Sequence, residues 1–243
     1  MGEWYIQPNW LEAIKGRPLF YPCAANDLEE IMTPFLSVVD EFWFADVNYP
    51  QGMNLSPGIQ DEDKMRCRLK SSYVDGDPNS VLTVAGGHRN IKASRHFELY
   101  RRFDGSKLLI VRRRGFAQIA LGDEFKDGSL GVFCHRGDSQ GEGGSNVYFF
   151  RNHWSRFPPL RNLAKLLTCK LAHRAVVVSD GSNAARGHPV AKFHFCQLSG
   201  AEAYEQLAGQ NWTRDGLRWT CVGFLTNRYG PTLVWGVVHI DSN

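Results

Sequence analysis

The chain has 243 residues, 43% hydrophobic and 22% charged, with a formal net charge of +3 at pH 7. That composition excludes a disordered or collagen-like chain, and the length supplies one large core or two small ones. The mild positive charge permits a phosphate-bearing partner without requiring one. No apolar run approaches the ~20 residues of a membrane-spanning helix, so no membrane partner is expected. Six cysteines (Cys23, Cys67, Cys134, Cys169, Cys196 and Cys221) form no C-x-x-C pair and no zinc spacing. Scattered thiols in apolar surroundings point to a reduced, cytoplasmic protein with no metal site. The segment MGEWYIQPNW lacks the basic and apolar regions of a signal peptide.

In chain order, Asn9 to Lys15 predicts a short amphipathic helix with Trp10, Leu11 and Ile14 on one face and Gly16 as its stop. Pro18 to Tyr21 enters a strand. Asn26 followed by Glu29 then reads as a helix start, and Pro34 as its kink or end. Val38 to Val47 is a second buried strand that closes on Asp46 and Asn48. Residues 49–93 read as a loop-rich insertion suited to a lid or a homodimer contact, with a strand at Val81 to Ala85. Residues 97–121 read as an inserted β-hairpin. Asp104-Gly105 is taken as its two-residue type I′ turn, which pairs Arg101 with Leu108. Leu130 to Cys134 is a strand, Leu160 to Ala172 a helix and Ala175 to Val178 another strand. Ala201 to Ala208 is a helix, and Thr220 to Thr226 with Thr232 to Ile240 a final hairpin.

Strand, turn, helix and strand with an acidic residue at the second strand's end is the grammar of a nucleotide-binding unit. The expected fold is therefore one Rossmann-like α/β domain over residues 1–243. It would have a mostly parallel sheet, helices on both faces and a C-terminal antiparallel hairpin. In layout, over roughly residues 17 to 240, the chain resembles the class I S-adenosylmethionine-dependent methyltransferases. The resemblance implies a cofactor site at Pro22, Cys23, Ala24, Asn26, Asp27, Asp46 and Asn48. Asp46 would accept the ribose hydroxyls, lying the expected ~20 residues beyond the first turn. That turn carries alanines where the family usually has glycines.

The loop after Cys134 is the densest cluster of chemistry, with four glycines among charged and hydroxyl side chains. Glycine allows close backbone approach to a ligand. His135 suits a general base, because histidine ordinarily titrates near neutrality, and Asp138 or Glu142 could orient it. Arg136, Ser139, Ser145 and Asn146 would bind substrate, joined by Asp180 and Asn183 at the end of the later strand. The glycines fit neither a P-loop nor a Rossmann fingerprint, and no G-x-S-x-G elbow exists. The leading expectation is a methyltransferase-like transferase acting on a small-molecule or nucleotide substrate. Two alternatives stay open. One is a non-catalytic nucleotide- or nucleic-acid-binding protein, using Arg101, Arg102, Arg112, Arg113 and Arg114 with Tyr100, Phe103 and Phe116 interleaved. The other is a hydrolase of a phosphorylated substrate working through His135 to Glu142.

Overall fold

The computed structural model describes residues 3–22, 24, 28–46, 48–50, 52–75, 94–115, 117–136, 163–181, 187–193, 196–225 and 231–240. Its strands are β1 (Trp4–Ile6), β2 (Leu19–Pro22), β3 (Glu41–Asp46), β4 (Cys67–Asp75), β5 (Arg95–Arg102), β6 (Lys107–Arg114), β7 (Leu130–His135), β8 (Leu171–Ser179), β9 (Asn211–Arg214), β10 (Leu217–Leu225) and β11 (Thr232–His239). The α-helices are α1 (Pro8–Ala13), α2 (Glu29–Met32), α3 (Ala117–Glu124), α4 (Leu163–Lys170) and α5 (Gly200–Leu207). None of these exceeds eight residues.

All eleven strands join one sheet, in the order β1-β10-β11-β8-β7-β2-β3-β6-β5-β4, with β9 beside β10. Four neighbouring pairs are parallel: β2 with β3, β2 with β7, β3 with β6 and β7 with β8. The other six are antiparallel. This overturns the Rossmann-like, mostly parallel sheet flanked by helices that the sequence predicts. The sheet is mixed and mostly antiparallel, and its helices are few and short. The difference arises at the edges. β1 and β9 are too short to show a pattern, and β4 lies in the segment read as an insertion. Beyond Cys67 and its two half-buried neighbours, β4 is exposed, so it lacks the apolar alternation that marks a strand. The proposed strand at Val81 to Ala85 lies outside the described residues.

Alternation along the central strands divides the core between the two faces of the sheet. Leu19, Tyr21, Val132 and Cys134 pack with Trp10, Ile31, Met32 and Phe35. Phe20, Phe133, Val177 and Trp235 pack with Leu121, Phe125, Leu167 and Ala203. Each such side chain contributes roughly 1.5–3 kcal/mol by leaving water. Local signals set the helix ends. Gly16 ends the first helix region at φ 69°. Ser199 and Glu202 form a reciprocal capping box on α5.

The hairpin of β5 and β6 is one residue out of the predicted register. Arg101 faces Lys107, not Leu108, so the loop is Phe103-Asp104-Gly105. Gly105 N–H donates to the Arg102 carbonyl at 2.9 Å, and Gly105 sits at φ 90°. Asp104 Oδ1 accepts Ser106 N–H at 2.8 Å. A type I turn closed by a left-handed glycine is the usual three-residue solution. A one-residue slip exchanges the two faces of a strand. Here it brings Arg112 opposite His96, on the face that also carries Glu98. The hairpin is also no appendage, because β6 pairs along its length with β3. Its second strand ends at Arg114, and residues 117–121 belong to α3.

Candidate functional site

Parallel strands β2, β3 and β6 end side by side, and the chain after β3 turns back over their carboxyl ends. Between them lies a cavity of about 670 Å³. That falls within the roughly 300–1,000 Å³ typical of small-molecule sites. Its walls are the start of α2 (Leu28, Glu29, Glu30), the exit of β3 (Asp46, Asn48, Tyr49), the strap 54–60 and Arg112 of β6. Asp46 is the last residue of β3 and is 6% exposed. Its Oδ1 accepts Asn48 N–H at 2.8 Å, and its carbonyl accepts Gly115 N–H at 3.0 Å. The turn therefore fixes the carboxylate at the cavity wall.

The strap is held by a buried polar cluster beneath it. Arg112 Nη2 donates to Glu98 Oε1 at 2.6 Å and to the Ser56 carbonyl at 2.6 Å. It also lies 3.0 Å from His96 Nδ1. Arginine only donates, so this nitrogen of His96 accepts, and its proton is assigned to Nε2. Glu98 accepts Gly58 N–H at 3.0 and 3.2 Å, and Tyr100 Oη accepts Ile59 N–H at 3.3 Å. From the other side, Glu29 Oε1 accepts the N–H groups of Gln60 at 2.6 Å and Asp61 at 3.1 Å. A Cβ on Gly58 would stand 2.8 Å from Glu98 Oε2, so the close approach requires glycine. Burial lowers the pKa of His96; Glu98 opposes that shift and Arg112 adds to it. Burial, reinforced by Glu98, raises the pKa of Tyr100.

The residues singled out from sequence divide into three groups. Asp46 and Asn48 line the cavity. Arg136, just past β7, reaches Glu30 on the wall at 2.8 Å and ties the β7 end to α2. Pro22 ends β2, and Ala24 is fully buried. His135 closes β7 opposite Ser179 of β8, is fully buried and stacks near Phe133 at 6.4 Å. It is not among the cavity-lining residues, and neither is Asp180. Cys23, Asn26, Asp27, Asp138, Ser139, Glu142, Ser145, Asn146 and Asn183 lie outside the described residues.

Sequence reasoning missed the cluster of Glu98, His96 and Tyr100 and the strap with its Pro57-Gly58 turn. A signal existed in HFELYRR, where His96, Glu98 and Tyr100 alternate onto one face. The arginines read as a nucleic-acid groove have other work. Arg112 and Arg113 are each 3% exposed, and Arg113 pairs with Asp123 and Glu124. Arg102 pairs with Asp40 at 2.9 Å, and Arg114 donates to the Tyr49 carbonyl at 2.9 Å. Tyr100 is fully buried. Among the described residues no cluster of candidate metal ligands forms, and no helix is long and apolar enough to cross a membrane. Cys67, Cys134, Cys169, Cys196 and Cys221 are free thiols. No protein-family model matches the chain, and no curated protein matches it in sequence.

Proposed function

We propose that this cavity binds S-adenosylmethionine and that the protein is a methyltransferase-like transferase for a small-molecule or nucleotide substrate. The observation that carries the proposal is Asp46, a buried carboxylate opening onto a cavity at the carboxyl edge of the parallel strands. A carboxylate so placed can accept two hydrogen bonds from vicinal hydroxyls. The place supports the reading as well. β2 has β3 on one side and β7 on the other, and chain order reverses there. Ligands of open sheets bind at such switch points, outside the carboxyl ends of the strands.

The residues present fit such a cofactor. Glu29 and Asp46 line the cavity with Glu30, which Arg136 meets, and the one lining arginine is met by Glu98. An acidic lining favours a ligand with a cationic centre and hydroxyl groups, and works against a polyphosphate. When bound, the cofactor would supply an electrophilic methyl group. The chain would hold the hydroxyls at Asp46, keep the pinned strap 54–60 over the pocket and fix the substrate in line, so that proximity lowers the barrier.

Isothermal titration calorimetry tests the proposal. S-adenosylmethionine and its demethylated product should bind one per chain. Asp46→Asn should weaken both by about tenfold or more, equivalent to about 1.4 kcal/mol. Absence of binding at millimolar ligand overturns the proposal.

A further inference from the structure

The face of β4, β5 and β6 turned away from the Glu98 cluster carries side chains that the cavity does not use. Residues in direct register share a face, and that rule places Arg68, Arg101 and Lys107 abreast on three strands. Like charges directly opposite one another are destabilising. Arg68 is met by Asp63 and Glu62. Among the described residues, Arg101 and Lys107 meet no carboxylate, and both are exposed. Phe103, 51% exposed, lies in the adjoining turn with the Arg68 guanidinium 5.0 Å from its ring centre. Next along the face come the half-buried Leu99 and Leu109. Beyond them Tyr73, 59% exposed, stacks on Phe97 with centroids 4.9 Å apart and planes 10° from parallel. Arg101 lies four positions along the strand from Phe97, about 13 Å away. At the far end the charge is balanced, since Asp75 pairs with Arg95 at 3.5 Å.

We infer that this face binds single-stranded nucleic acid, with phosphates on the Arg101–Lys107 row and bases stacked against Tyr73 and Phe103. A cationic row beside flat, exposed rings meets both needs of a single strand, a charged backbone and unpaired π-faces. A phosphate there relieves the repulsion between two opposed cations. An acidic peptide would use the row and leave the rings idle. Arg112 and Arg114 lie on the opposite face, and Arg113, at the far end of this one, is buried against Asp123 and Glu124.

Fluorescence anisotropy with a labelled oligo-dT or oligo-U of ~12 nucleotides tests this on the full chain. Binding should weaken between 50 and 200 mM salt. The double variant R101E/K107E should lose at least tenfold in affinity and show a shallower salt dependence, by about 1.4 in log–log slope for two lost phosphate contacts. Tyr73→Ser should lose at least fivefold with the slope unchanged, because stacking carries no counterion release. All three residues are exposed, so the variants should melt like the parent. Asp46→Asn should bind the oligonucleotide as the parent does, which separates this surface from the cavity. No binding at 50 mM salt, or binding unchanged in R101E/K107E, overturns the inference. So does capture by anionic phospholipid vesicles in place of the oligonucleotide.

Discussion

His188 is a buried histidine held by its neighbours. It caps the short 3-10 turn Pro189–Ala191, 3.9 Å from Asp215 and edge-on to Trp219 at 4.9 Å. Its Nδ1 accepts Val190 N–H at 3.3 Å. Burial, with Arg214 nearby, pushes its pKa down to about 4 from an ordinary 6.5. The folded state therefore holds it neutral while the unfolded chain takes up a proton below 6.5. Its contribution to stability is complete above pH 6.5 and is lost as pH falls toward 4. His96, also lowered by burial, adds to the same acid limb. The urea midpoint should therefore drop from pH 7 to pH 5, and His188→Asn, which keeps an acceptor for Val190, should flatten that drop. An unchanged pH profile in His188→Asn would show that this histidine does not titrate in the folding transition.

At the level of elements, the site depends on a strap pinned to a hairpin. The strap 54–60 has no regular secondary structure of its own, and its backbone groups are met by Glu98, Tyr100, Arg112 and Glu29. Replacing Glu98 by Ala leaves the Arg112 guanidinium buried without its carboxylate and frees Gly58 N–H. Losing one member of a buried pair costs about 3–5 kcal/mol. Glu98→Ala should lower stability by that amount in chemical denaturation. Replacing the pair together by Leu and Met should recover most of it while still loosening the strap. Recovery of ligand affinity along with stability would count against the strap's role. The sequence could not show this arrangement, because it hangs on a hairpin register. Asp104-Gly105 is as good a two-residue turn as it is the end of a three-residue one. The choice decides whether Arg112 or Arg113 meets Glu98. The ends of the central elements were easier to read: Gly16, the Asp46 turn and the strand at Leu130 all rest on local signals. Ser199 with Glu202 is a capping box of the same local kind, although sequence reading placed only the helix that follows it.

For the molecule as a whole, the central parallel strands were legible because burial on both faces writes continuous apolar runs such as FWFA and VVV. The edges were not. β4 reads CRLKSSYVD, and its polar, exposed residues answer to solvent and not to a core. Treating that edge as loop led to a helix-flanked parallel sheet, whereas antiparallel strands extend the sheet on both sides. Asp46 ends β3 at the cavity wall whatever the sheet's edges do, because its place depends only on β2, β3 and β6. His135 is enclosed in the sheet. The central claim, that the cavity at Asp46 is a cofactor site, is tested most directly by a crystal structure grown with the demethylated cofactor product. The ligand should lie between the start of α2 and the strap, its ribose hydroxyls on the Asp46 carboxylate. Ligand density away from Asp46, or none at saturating concentration, would contradict it.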